Sequence, residues 1–121
     1  MTVNGSLSAT SKIFLIDHPT KKGYKLRYGS LEGPENGVYV RGRLKGKSYI
    51  QLPDYWTGLV DEDSITVHLT SIGHTQGLYV SDIEKNKVWI GTNSDYQIHC
   101  FYTVFAERKD IDKLVVEYEG E

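Results

Sequence analysis

The chain has 121 residues and a formal net charge of −2, from 14 Lys and Arg against 16 Asp and Glu. This length suits one domain, because single cores usually span about 50 to 200 residues, and it argues against a two-domain enzyme. Its 9 Tyr and 12 Gly, with many Val, Ile and Thr, favour strands and tight turns. The basic residues are scattered along the chain, so we expect no nucleic-acid partner.

The start of the chain carries no recognisable targeting signal. Residues 1–11 lack the basic and apolar regions of a secretory signal peptide. We therefore expect a flexible N-terminal lead-in, followed by a single β domain over residues 12–121, with no secretion through a signal peptide. The apolar stretch at residues 13–16 is far shorter than the roughly 20 residues that cross a bilayer, so no membrane insertion is expected. The single cysteine, Cys100, has apolar neighbours that predict a buried thiol.

Alternating apolar residues, separated by turn residues, predict short strands along the whole chain. In chain order they are residues 12–16, 24–28, 38–44, 49–52, 64–72, 78–83, 88–92, 98–107 and 114–118. Residues 45–47 and 84–87 predict hairpin turns, and residues 53–58 predict one helical turn. Because residues 98–107 are apolar on both faces, we place that strand at the centre of the sheet system. The fold class is all-β, an antiparallel sandwich or barrel of about eight or nine short strands.

No catalytic, metal-binding or cofactor-binding pattern emerges. The four His lack zinc-ligand spacing, and the acidic residues 61–63 lack the Gly and Glu that a calcium loop needs at its sixth and twelfth positions. The glycines of residues 29–37 match neither a phosphate-binding loop nor a serine elbow. We expect a protein without catalytic residues, metal or cofactor. The enzymatic alternative is a small polysaccharide-acting enzyme that uses Asp17, Glu32 and Glu35 as acid and base.

Three aromatic residues are candidate contacts for a receptor or a sugar. Tyr55 and Trp56 lie in the predicted helical turn, where flat rings can stack on sugars or anchor a protein partner. Tyr39 is the third candidate. Packing in the core is the competing interpretation for each ring, because a small domain needs the buried area that large rings supply.

Four stretches of the chain together resemble a known family. They are residues 14–44, 52–73, 78–83 with 86–90, and 101–118, and they contain DHPTK, SLEGPENGVY, LPDY and LTSIG in this order. This combination resembles the C-terminal domain of tail-fibre-like structural proteins of contractile-tailed marine phages, especially those infecting cyanobacteria, and of related prophage proteins.

The resemblance implies a non-enzymatic virion component of the phage tail, made in the host cytoplasm. It further implies a homo-oligomer, with a trimer favoured, whose partners are other virion tail proteins and a host surface glycan. An alternative within the same class is a trimerisation or folding cap that never contacts the host.

Overall fold

A computed structural model describes residues 13–120 of the chain. The predicted lead-in at residues 1–11 lies outside the described residues. Eight strands in the described range form three antiparallel sheets, so the predicted all-β fold is confirmed. The strands are β1 (Ile13–Asp17), β2 (Lys25–Gly29), β3 (Gly37–Lys45), β4 (Tyr49–Gln51), β5 (Thr66–Ser71), β6 (Tyr79–Glu84), β7 (Lys87–Gly91) and β8 (His99–Glu107). Between β4 and β5 lie the short helix α1 (Trp56–Leu59) and a 3-10 turn (Glu62–Ser64).

The strand order places β8 between β3 and β5, as its two apolar faces predicted. A second three-stranded sheet has the order β4-β7-β6, and β1 pairs with β2 in a separate hairpin. Inner side chains of β8 such as Cys100 and Val104 are fully buried, whereas Phe101 and Phe105 lie on the other face of the sheet. The alternation follows from the period of two along a strand.

The two predicted hairpin turns have different outcomes. Residues 84–87 do join β6 to β7, and Lys85 and Asn86 both adopt positive φ, of 53° and 61°, which suits a tight two-residue turn. The turn at residues 45–47 does not make a hairpin, because β3 pairs with β8 and β4 pairs with β7. Gly46, at φ 73°, donates its N–H to the carbonyl of Ile98, so the turn passes the chain from one sheet to the other.

The predicted strand at residues 114–118 is wrong. These residues are exposed and belong to no sheet in the described part of the chain. Their alternating apolar pattern has the strand period, but a strand also requires a neighbouring strand to pair with, and no strand within residues 13–120 pairs with them.

The core is apolar and draws on all three sheets and on α1. Its buried members are Leu26, Val38, Leu44, Ile50, Leu52, Trp56, Leu59, Val60, Val88, Ile90, Ile98, Cys100, Val104 and Ala106. The predicted burial of the thiol is confirmed, and that burial raises the pKa of Cys100.

Candidate functional site

Trp56 is fully buried, so it is a core residue and the expectation that it contacts a receptor is wrong. Its indole Nε1–H donates to Tyr28 Oη at 3.2 Å. Tyr55 is half-buried beside it, with its hydroxyl 2.7 Å from that of Tyr28 and its ring edge-on to His18 at 5.2 Å. Both residues of the predicted turn therefore hold the β1–β2 hairpin against the core, and they do not form an exposed aromatic patch.

Tyr39 has a different setting, because it lies on the outer face of the β3-β8-β5 sheet and is 44% exposed. We call this outer face the platform. Its members are Tyr39, Arg41, Arg43 and Lys45 from β3, His99, Phe101, Thr103, Phe105 and Glu107 from β8, and Thr66, His68 and Thr70 from β5. The register places Tyr39 opposite Phe105, and Arg43 opposite Phe101.

Aromatic and cationic groups contact one another across the strands of the platform. The Tyr39 and Phe105 rings lie 6.0 Å apart, and His68 meets Phe105 edge-on at 5.9 Å. The Arg43 guanidinium lies 5.1 Å above the Phe101 ring. Phe101 is 47% exposed, so a flat ring and a guanidinium face solvent together. Cross-strand pairs of this kind hold side chains in fixed positions on a sheet.

The platform is cationic although the chain as a whole carries a net charge of −2. Arg41, Arg43 and Lys45 follow one another at every second residue of β3. Glu107 is the only acidic residue among the described members of the platform, and Lys113 binds it at 2.6 Å. Glu107 in turn raises the pKa of Lys113. The platform therefore presents positive charge that no carboxylate on its own surface neutralises.

A shallow depression lies within the platform. It has a volume of about 440 Å³ and is lined by Arg41, Gly42, Arg43, Phe101, Tyr102 and Thr103. Gly42 is necessary beside this depression, because a Cβ atom there would lie 2.7 Å from Tyr102 Oη. The glycine lets the Tyr102 ring lie across β3 on the inner face of the sheet.

A second aromatic surface lies on the β4-β7-β6 sheet, and sequence analysis did not identify it. The Trp89 and Tyr49 rings lie 5.1 Å apart, and Lys87 Nζ lies 4.9 Å from the Tyr49 ring. Glu84 and Asp82 border this surface, and their hydrogen bond raises the pKa of Glu84. Because the lysine covers both rings and the border is acidic, this surface offers less open ring area and less positive charge than the platform.

The carboxylates of the enzymatic alternative are all exposed. Asp17 pairs with Lys25, which lowers the pKa of that carboxyl group. A glycosidase general acid requires the opposite shift, a pKa raised by its surroundings. Asp17 therefore has the electrostatics of a surface ion pair.

Residues 13–120 contain no group of three or more His, Cys, Asp and Glu arranged to hold a metal ion. None of the helices that the structure describes is long and apolar enough to span a membrane. Comparison of the chain with protein families, with curated proteins and with solved structures found no match. The resemblance to phage tail-fibre-like domains therefore stays a prediction.

Proposed function

We propose that this chain is a non-enzymatic binding module of a phage tail, which holds an acidic polysaccharide of the host surface on the platform. The observation that carries this proposal is one exposed face on which Arg41 and Arg43 lie next to the rings of Tyr39 and Phe101. The position of the module in a virion tail is taken from the resemblance of the sequence.

The chemistry of the platform fits a sugar polymer that carries carboxylate, sulfate or phosphate groups. Aromatic rings stack on the apolar C–H faces of sugars, and a guanidinium can donate two parallel hydrogen bonds to an oxyanion. Side chains two residues apart on one strand are about 7 Å apart, so the cations of β3 form an evenly spaced row. A row suits a repeating polymer better than it suits a small compact ligand.

Binding to an immobilised polyuronate, with neutral dextran as the reference polymer, tests the proposal. Arg41→Ala/Arg43→Ala removes two charges from the platform, and Phe101→Ala removes its exposed central ring. We expect each variant to weaken polyuronate binding at least tenfold. The matched control is Lys21→Ala/Lys22→Ala, which removes the same charge from the exposed β1–β2 loop and should leave the affinity within twofold.

Two outcomes would contradict the proposal. One is wild-type protein that does not retain polyuronate above the dextran background. The other is an equal loss of binding in the platform double variant and in the loop double variant, since that would indicate attraction to net charge alone. A trimerisation or folding cap without host contact corresponds to the first outcome.

A further inference from the structure

Residues 113–119 form an exposed segment that has the composition of a strand but belongs to no helix or strand and has no partner strand within the described residues. Leu114, Val116 and Tyr118 alternate with Val115, Glu117 and Glu119. Tyr118 is 81% exposed and Val115 is 67% exposed. A contiguous run of exposed large apolar residues on a small protein indicates a surface that another molecule covers.

The β3 strand has a free edge. The strand order gives it β8 on one side and no strand on the other side in the part of the chain that the structure describes. At its two ends, Arg108 N donates to Asn36 O and Gly46 N donates to Ile98 O, both at 2.8 Å. Backbone hydrogen bonding alternates from residue to residue along an antiparallel pair. Even-numbered residues of β3 therefore direct their backbone N–H and C=O groups to β8, and odd-numbered residues direct theirs to the free edge. Such an edge is a template for a further strand.

Charge distinguishes this edge from the others. Arg41 and Arg43 lie two residues apart on β3, and Glu117 and Glu119 lie two residues apart on the exposed segment. The edge strand β6 instead carries acidic residues and a bulge that interrupts its register. The β5 edge carries no Lys or Arg, and β4 is only three residues long. The free edge of β2 carries Lys25 and Arg27 at the same spacing, but β2 has five residues against nine in β3, and Lys25 already pairs with Asp17. The β3 edge therefore combines sufficient length with the complementary charge.

We propose that residues 113–119 of one copy of this chain add as a strand to the free edge of β3 in a second copy. In either strand direction the period of two places Leu114, Val116 and Tyr118 on one face and Glu117 and Glu119 on the other. With the apolar face turned inward, the two carboxylates lie beside Arg41 and Arg43 on the platform side. The added strand also covers the partly buried Val40 at the edge of the core.

A second copy is a better partner than the chain's own β3. The carbonyl of Asp112 accepts a hydrogen bond from Asn36 Nδ2 at 3.1 Å, so the segment begins beside the residue that precedes β3. A segment that added to its own β3 from there would run parallel to it, and parallel pairs are less stable per residue. A second copy permits the antiparallel pair.

The absolute mass of the full chain in solution, measured by light scattering at several concentrations, tests this inference. We expect a multiple of 13.7 kDa for the wild type. In the antiparallel pair the odd-numbered residues of the segment lie opposite the odd-numbered residues of β3 and direct their N–H groups to them. Val115→Pro removes one of these N–H groups and should give the monomer mass, while the variant still unfolds cooperatively on heating. Gly120→Pro, just beyond the proposed strand, is the matched control and should keep the wild-type mass.

A charge exchange tests which edge accepts the strand. Glu117→Arg/Glu119→Arg and Arg41→Glu/Arg43→Glu should each be monomeric alone, because like charges then face each other, and should associate when mixed. A monomeric wild type at all concentrations, a Val115→Pro variant that keeps the wild-type mass, or a mixture of the charge variants that stays monomeric would each overturn the inference.

The inference does not rest on the proposed ligand, and the two fail separately. Phe101→Ala changes the centre of the platform and should weaken polyuronate binding without changing the mass. Val115→Pro should lower the mass without weakening polyuronate binding. Because Glu117 and Glu119 would compete with the polymer for the same guanidinium groups, we expect Val115→Pro to bind polyuronate at least as tightly as the wild type.

Discussion

The hydroxyl oxygens of Tyr28 and Tyr55 lie 2.7 Å apart, and this contact joins β2 to the turn before α1. Tyr28 Oη also accepts the indole N–H of Trp56, so one hydroxyl satisfies two groups from a segment 27 and 28 residues further along the chain. Since β1 and β2 pair with no strand of the other two sheets, this hydrogen-bonded cluster is a principal link between the hairpin and the core.

Tyr28→Phe is expected to lower the free energy of unfolding by about 1 to 3 kcal/mol, because the buried indole N–H loses its acceptor. Urea denaturation followed by tryptophan fluorescence measures the change. Tyr24→Phe is the matched control, because Tyr24 is 62% exposed, and it should change the stability by less than about 0.5 kcal/mol. If Tyr28→Phe and Tyr24→Phe lower the free energy of unfolding equally, the hydrogen bonds of Tyr28 make no specific contribution to stability.

The stability of the fold should fall at alkaline pH partly because of Tyr55. Burial, and then the hydrogen bond with Tyr28, raise the pKa of the Tyr55 hydroxyl above its ordinary value of about 10. The folded state then holds a proton that the unfolded state releases, so stability is fully present below pH 10 and falls as the pH rises further. Urea denaturation between pH 8 and 11 should show a shallower loss for Tyr55→Phe than for the wild type. Parallel curves would contradict this assignment.

Gly42→Ala is expected to destabilise the protein by roughly 1 to 3 kcal/mol, because the new Cβ would overlap the Tyr102 ring. In a Tyr102→Ala background the same change should cost much less, which a double-mutant cycle measures. Gly29→Ala is the control, since no heavy atom lies within 4 Å of a Cβ built there. If the free-energy costs of Gly42→Ala and Tyr102→Ala are additive, contact with the Tyr102 ring is not the cause of the destabilisation.

Lys85→Gly is expected to stabilise the β6–β7 hairpin. Lys85 has φ 53°, and a side chain in this region costs about 1 to 2 kcal/mol, partly offset by about 0.5 to 1 kcal/mol for the chain entropy of glycine. The thermal midpoint should therefore rise by a few degrees. Lys22→Gly, in the exposed β1–β2 loop at a residue without positive φ, should give no such gain.

Gln76 is a buried polar residue that sequence analysis did not single out. Its Oε1 accepts from His99 N at 2.9 Å, while its Nε2 donates to the carbonyls of His99 and Ile72 at 2.8 and 3.1 Å. Gln76→Ala leaves the His99 N–H buried without an acceptor and should cost roughly 2 to 4 kcal/mol in chemical denaturation. Gln76→Met keeps most of the volume and should still cost 1 kcal/mol or more. A neutral Gln76→Met would show that packing alone matters here.

The strands were predictable from sequence where one face is buried. The alternation of Val67 and Leu69 with His68 and Thr70 identified β5 because the pattern reports burial directly. The same alternation at residues 114–118 predicts a strand that the structure does not contain. An alternating pattern indicates that a segment favours the strand conformation, but it does not show whether a neighbouring strand is present to pair with it. The predicted hairpin at residues 45–47 is wrong for a related reason. A local turn signal does not show whether the two strands that it connects pair with each other or with other strands.

The candidate site was largely beyond prediction. Trp56 and Tyr28 are 28 residues apart, and no local signal shows that they share a hydrogen bond. The platform depends on the register that places Arg43 opposite Phe101, a pairing across 58 residues. The sequence makes Tyr39 a candidate contact with core packing as the competing interpretation, and its exposure and its neighbours on the platform follow only from the strand order β3-β8-β5.

The central position of β8 has a consequence for synthesis on the ribosome. The strands that flank it, β3 and β5, end at residues 45 and 71, yet their shared partner begins only at residue 99. A nascent chain therefore carries both strands without a partner until the last fifth of the sequence begins to emerge, and folding through such distant contacts is slow. During that interval the apolar faces of both strands are open to other nascent chains, so shielding by a chaperone should raise the yield of folded protein, and slower translation after β5 should lower it.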